Sequence, residues 1–189
     1  GQLTPLNDLM DPAAFDDLYD NVREFVTYDG KFYAYPKLVE PSAVLYYRKD
    51  MFEAAGLDPE KPPASWAELQ DYAKKLTKDG VFGITIAQTA PDLGWSSWGL
   101  QYNAAGHLAL TDDWSAANVN NDGYKALFGF YQQLYQSGAM PKQQLAGYTD
   151  IKPFGEGKVA MAVNGSWAIG QIRNSYKDLI DKVGVAPMA

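Results

Sequence analysis

The chain has 189 residues, is 47% hydrophobic and 14% aromatic, and carries a formal net charge of -7; that length suits one large domain, or one domain with a fragment of a second. It has no Lys/Arg-rich run, so it lacks the clustered cations that nucleic acid or an anionic membrane surface needs. With no cysteine and one histidine, His107, it offers no disulfide, thiolate nucleophile or His-rich metal centre, and no apolar run approaches the ~18 residues of a membrane span.

Residues 1–24 read as short helices. Asp11 before Pro12 is an N-cap with proline at the first helical position, and Phe15, Leu18 and Val22 recur at helical spacing. Residues 24–28 and 31–35 then flank Asp29-Gly30, the signal of a type I′ hairpin. After Pro36, residues 43–47 read as a buried strand, and Asp50 and Glu53 have capping-box spacing for a short helix ending before Gly56. The clearest helix is 66–78. Ser65 and Glu68 form its capping box, Trp66, Leu69, Ala73 and Leu76 line one face, and Lys74, Lys75 and Lys78 suit its C-terminal dipole before Gly80.

Residues 81–86 are a strand, and a helix carrying Trp95, Trp98 and Tyr102 follows Pro91-Asp92. Residues 106–121 read as loop with a short extended piece, and 124–136 as a second strong helix with Leu127, Phe128, Tyr131 and Leu134 on one face. The turn 154–158 leads into the strand 159–163, then Asn164-Gly165-Ser166-Trp167 and a last helix; 183–187 is a final short strand. Strands alternating with helices predict an α/β fold, its sheet containing 44–47, 82–86 and 159–163 and flanked by helices. Strand order does not follow from this alternation.

Three places invite chemistry, each with a plain structural alternative. Val163 to Trp167 is a buried strand, a glycine turn and a helix start, where free N–H groups bond ligand oxygens in α/β folds and Trp167 would present its ring; the alternative is a packed strand–turn–helix. Trp95 and Trp98 share a helix face, which suits either the core or the apolar face of a sugar. Glu40 interrupts an apolar stretch between two predicted strands, as a solvated turn residue or as a cleft carboxylate accepting ligand hydroxyls. His107 lies in a loop and reads as solvated. No nucleophile elbow, phosphate-binding loop or metalloprotease motif occurs. A glycosidase would need a carboxylate pair, which the sequence alone neither gives nor removes.

Four stretches, in this order, resemble the extracellular solute-binding proteins of carbohydrate ABC importers, the maltose-binding-protein-like family. They are Asp29 to Pro36 with Glu40; Val44 to Leu57; Pro62 to Leu69; and Phe154 to Met161 running into Asn164 to Ile169. The resemblance implies one lobe of a two-lobed periplasmic-binding-protein-like fold of class II type: residues 1–37 as a remnant of the first lobe with the crossover hairpin, 38–183 as the second, sugar-side lobe, and 184–189 as the start of the return crossover. It also implies a cleft carboxylate at Glu40, an aromatic facing sugar at Trp95 and an aromatic platform at Trp167. Trp98, Asn164, Ser166, Tyr148 and Gln88 are their expected neighbours.

The implied function is non-catalytic binding of a sugar or oligosaccharide for delivery to the transmembrane subunits of an ABC import permease. It takes no cofactor, metal or nucleic acid and works outside the cytoplasm, in the periplasm or at the cell surface as a lipoprotein, with the export signal lying outside this chain. The alternatives are a glycoside hydrolase or transferase domain and a stand-alone interaction domain. One wall of a two-walled cleft is expected to bind at roughly millimolar strength where the whole would be micromolar. Phe15, Leu18 and Phe25 are expected to be partly uncovered, or repacked against this lobe or another copy, favouring self-association through residues 1–35.

Overall fold

The computed structural model describes residues 3–37, 41 and 43–188, with the side chains of residues 90–97 outside the description. The chain divides into two compact units, Gly1–Glu40 and Pro41–Ala189. In the first, Asp11 caps α1 (Pro12–Asp16) by accepting the Ala13 N–H at 3.0 Å. The helical spacing of Phe15, Leu18 and Val22 is split between two helices, because the chain leaves α1 at Asp17 and re-enters helix at α2 (Asp20–Val26).

The hairpin keeps its Asp29-Gly30 turn, both residues left-handed, but β1 (Thr27–Tyr28) and β2 (Lys31–Phe32) have two residues each. Residues 24–26, expected in strand, belong to α2, whose end is held by the Thr27 hydroxyl donating to the Arg23 carbonyl at 2.6 Å. Phe15, expected to be partly uncovered or repacked, is buried within its own unit: its ring stacks on Phe32 at 4.1 Å and meets Tyr35 edge-on at 5.8 Å.

The second unit is built on a four-stranded sheet ordered β4 (Phe82–Thr85), β5 (Val159–Asn164), β3 (Val44–Arg48), β6 (Val183–Pro187). Strands β4 and β5 are parallel, and β3 runs antiparallel to both of its neighbours. Alternation along β3 sends Leu45 and Tyr47 to one face and Tyr46 to the other. Leu45 and Tyr47 share a core with Leu69 and Leu76 of α4 (Trp66–Leu76), Leu100 of α5 (Ala90–Ala105) and Leu127, Phe130 and Leu134 of α6 (Asp122–Gln136). Tyr46 packs with Phe154 of α7 (Lys152–Gly155) and Ala168 and Ile172 of α8 (Ala168–Ser175). Because both faces are covered, all six residues of β5 are buried.

The predicted strands and long helices appear close to their expected bounds, with local corrections. Asp50 does not cap α3 (Lys49–Ala54) as a partner of Glu53; its carboxylate takes Arg48 Nε at 2.8 Å and Nη2 at 2.7 Å. The Arg48 guanidinium is nearly enclosed and requires a counter-charge, and that bond holds the Asp50 carboxyl below the ordinary carboxylate range. At α4, Ser65 Oγ accepts the Glu68 N–H at 3.2 Å, while the Glu68 carboxylate reaches Ala64 rather than Ser65. That helix stops at Leu76, and the left-handed pair Asp79-Gly80 turns the chain into β4. A 3-10 turn, Lys177–Lys182, separates α8 from β6 and has no counterpart in the sequence reading.

Candidate functional site

The register brings one set of chain ends to one end of the sheet. Val44, opening β3, is paired with Asn164, closing β5, and with Pro187, closing β6; β4 ends beside β5, with Thr85 opposite Ala162. The chain leaving β4 and the Asn164-to-Trp167 turn therefore share an edge, where parallel strands and helix starts collect ligands in α/β folds.

The turn after β5 is fastened on all sides. Asn164 Oδ1 accepts the Gly165 N–H at 2.8 Å, Asn164 Nδ2 donates to the Tyr148 carbonyl at 3.0 Å, and the Tyr46 hydroxyl donates to the Gly165 carbonyl at 2.8 Å. The Ser166 N–H donates to the Pro41 carbonyl at 3.1 Å. Gly165 is required by packing: a Cβ there would run into the Trp167 ring. Trp167 opens α8, half-buried, with the Tyr148 ring edge-on at 5.3 Å and 87°. Its indole Nε1 is buried and has no hydrogen-bond partner.

Across the sheet edge, Gln144 Oε1 accepts the N–H groups of Gln88 (2.7 Å) and Thr89 (3.0 Å), fixing the chain as it enters α5. Gln88 Nε2 donates to the Pro141 carbonyl at 2.6 Å, and Gln88 Oε1 is buried without a partner. Thr85, Ile86, Ala87, Gln144, Tyr148 and Asn164 surround a cavity of about 20 Å³, too small for a sugar ring. An unpaired buried donor or acceptor costs about 1–3 kcal/mol. This end of the sheet thus holds a buried indole donor and a buried amide acceptor, each without a partner, together with the Trp167 and Tyr148 rings, groups whose chemistry suits hydroxyls on an apolar frame.

Of the expected site residues, Gln88, Tyr148, Asn164, Ser166 and Trp167 gather here. Trp98 stands two turns into α5, 45% exposed and outside the lining of the small cavity. Glu40 lies outside the described residues, and of Trp95 only its place on α5 is described. Tyr46 and Gln144, which hold the turn and the β4 exit, were not singled out by sequence. A tyrosine within an apolar strand was the one available signal, since a buried hydroxyl needs a partner; Gln144 carries no local mark. His107 is only partly exposed and is hydrogen-bonded within the protein: its Nδ1 donates to the Leu108 carbonyl at 2.6 Å, with the Asn118 and Asn121 amides 3.5 and 3.4 Å from the ring nitrogens. Among the described residues no group of His, Asp and Glu could hold a metal ion, and no helix is long and apolar enough to cross a membrane.

Residues 1–188 match the model of a bacterial extracellular solute-binding protein family, and the chain belongs to that family. Among its relatives is the mannitol-binding protein of Pseudomonas aeruginosa, 32% identical over 195 residues, a match covering 98% of this chain and 43% of that protein. A shorter match, 47% identical over 55 residues, joins 29% of this chain to 11% of the sn-glycerol-3-phosphate-binding periplasmic protein UgpB of Escherichia coli K12. Among solved structures, the GacH receptor of Streptomyces glaucescens, known unliganded and with acarbose, superposes with a TM-score of 0.78 at 27% identity, over 100% of this chain and 47% of its own. The chain thus spans just under half the length of the mannitol-binding relative and of GacH.

Proposed function

We propose that this chain forms one wall of a carbohydrate-binding cleft and, within its whole protein, delivers a sugar, sugar alcohol or oligosaccharide to the transmembrane subunits of an ABC import permease, without catalysing a reaction on it. The whole protein works outside the cytoplasm, in the periplasm or as a surface lipoprotein. Residues 1–37 are the first-lobe remnant, 38–183 the sugar-side lobe and 184–189 the start of the return crossing. The observation that carries the reading is the Trp167 ring beside Tyr148, its unpaired Nε1 at the same sheet edge as the unpaired Gln88 Oε1. Trp167 is the stacking platform. Asn164, Ser166, Tyr148 and Gln88 supply the polar rim, while Glu40, Trp95 and Trp98 complete the wall. Self-association through residues 1–35 belongs to the same reading.

The ligand is neutral. None of the residues gathered at the turn is Lys or Arg, and the sequence holds neither between Asp79 and Tyr124, so a phosphate would meet no cation from these segments. A thermal-shift panel tests this. Mannitol, maltose or maltotriose should raise the melting temperature, and sn-glycerol-3-phosphate should not. A shift with the phosphate alone, or shorter sugars released on incubation with maltotriose, would contradict the proposal.

A further inference from the structure

The chain has eight asparagines, and one of them, Asn164, is followed by glycine. In an Asn-Gly pair the glycine nitrogen can attack the asparagine side-chain amide, because no Cβ shields that nitrogen. The fold imposes the pair here. A Cβ on residue 165 would run into the Trp167 ring, so the packing that forms the site also leaves the nitrogen unshielded. Asn164 Oδ1 accepts the Gly165 N–H at 2.8 Å. The side-chain amide carbon, one bond from that oxygen, therefore lies beside the nitrogen that would attack it.

Proximity is opposed by the bonds of the closed turn. Asn164 is 4% exposed, and its Nδ2, the group that must leave, donates to the Tyr148 carbonyl at 3.0 Å. The Gly165 carbonyl is held by the buried Tyr46 hydroxyl at 2.8 Å, and the next N–H, that of Ser166, by the Pro41 carbonyl at 3.1 Å. Hydroxide reaches the Gly165 nitrogen only when these bonds open, so the rate follows the population of a locally opened turn.

We propose that Asn164 is a deamidation site, gated by the bonds of this turn, whose conversion disables the wall around Trp167. In the opened turn hydroxide takes the Gly165 amide proton, and the nitrogen forms a bond to Asn164 Cγ. The Cγ–Nδ2 bond breaks, and Nδ2 leaves as ammonia with a proton taken from water, which restores the hydroxide. Water then opens the succinimide at either carbonyl, giving aspartate or isoaspartate. Each product breaks the site. An ionised aspartate has no hydrogen to donate, so it faces the Tyr148 carbonyl as a second acceptor in a buried place. Isoaspartate adds a methylene to the main chain ahead of Gly165 and moves it off the Trp167 ring. The loss of binding rests on the carbohydrate reading of this turn; the chemistry does not.

The test is incubation of the 189-residue chain, its Tyr46→Phe variant and the free peptide 159–173 in warm, mildly alkaline buffer. Trypsin, cutting after Lys158 and Arg173, isolates residues 159–173 for mass spectrometry, and an isoaspartate methyltransferase assay identifies the product. Asn174-Ser175, exposed at the end of α8, falls in the next peptide and is the internal reference. The free peptide should convert fastest and the wild-type chain slowest. Tyr46→Phe should speed conversion of Asn164 about tenfold, equivalent to ~1.4 kcal/mol of turn stability, and leave Asn174 unchanged. Calorimetric titration with maltose should show Asn164→Asp binding at least tenfold more weakly than wild type. An unmodified 159–173 in Tyr46→Phe, a rate equal to wild type, or equal speeding of Asn174 overturns the gated site. Full maltose binding by Asn164→Asp overturns the loss of function. No maltose binding by the unmodified chain counts against the carbohydrate reading and leaves the rates to decide the modification.

Discussion

Tyr46 is fully buried in the middle of β3, yet its hydroxyl serves the site: it donates to the Gly165 carbonyl at 2.8 Å, beneath the ring of Trp167. Tyr46→Phe leaves that carbonyl short of one partner inside the protein, so it should cost about 1–2 kcal/mol in urea unfolding. Because the bond fixes the turn, it should also weaken sugar binding; unchanged stability would show that the bond contributes nothing. The division between what sequence shows and hides runs through this cluster. Trp167 was legible because an apolar strand, a glycine turn and a helix start are local patterns. The roles of Tyr46 and Gln144 were not, because their partners lie 119 and 56 residues away in the chain. His107 misled for the same reason: a lone loop histidine looks solvated until the Asn118 and Asn121 amides are placed beside it.

The longer elements were readable because each carries its own period and punctuation. Helix α4 has Ser65 as its cap and α6 has Asn121, whose Oδ1 accepts the Tyr124 N–H at 3.1 Å. The short elements were not: α3 lost its expected cap to Arg48, and the hairpin arms lost residues to α2, since tertiary and neighbouring contacts outweigh a weak local preference there. The loop between α5 and α6 gives a prediction of its own. Asp113 accepts from Thr111 Oγ1 at 2.6 Å, Ser115 Oγ at 2.8 Å and the Ser115 N–H at 3.1 Å, holding Trp114 at the tip in a left-handed conformation. Those bonds, the Thr111 hydroxyl first, lower its carboxyl from 3.8 to about 2. A depressed carboxylate stabilises the fold above its unfolded value and loses that contribution as pH falls through the folded one. The melting temperature should therefore drop between pH 4 and pH 2 more in the wild type than in Asp113→Asn, which does not titrate there. Parallel curves would show that the loop network does not couple to stability.

At the scale of the whole chain, alternation of strands and helices announced an α/β lobe, while the strand order β4-β5-β3-β6 had to await the structure, because pairing is decided by non-local contacts. In the first unit Phe15 is enclosed by Phe32 and Tyr35. Phe25 is 87% exposed on α2, and Leu3, Leu9, Tyr19 and Tyr28 of the same unit are exposed as well. If residues 1–35 mediate self-association, sedimentation of the wild type should be concentration-dependent and Phe25→Asp should be monomeric; identical profiles would remove Phe25 from any interface.

The central claim, that the end of the sheet around Trp167 is a sugar-binding wall, meets its most direct test in calorimetric titration of the wild type and Trp167→Ala with the neutral sugar that most raises the melting temperature. A stacked aromatic anchor removed from such a wall should cost about 2 kcal/mol or more. The account predicts measurable binding by the wild type and at least that loss in the variant, with the fold intact by circular dichroism. Equal affinity in the two proteins would contradict it.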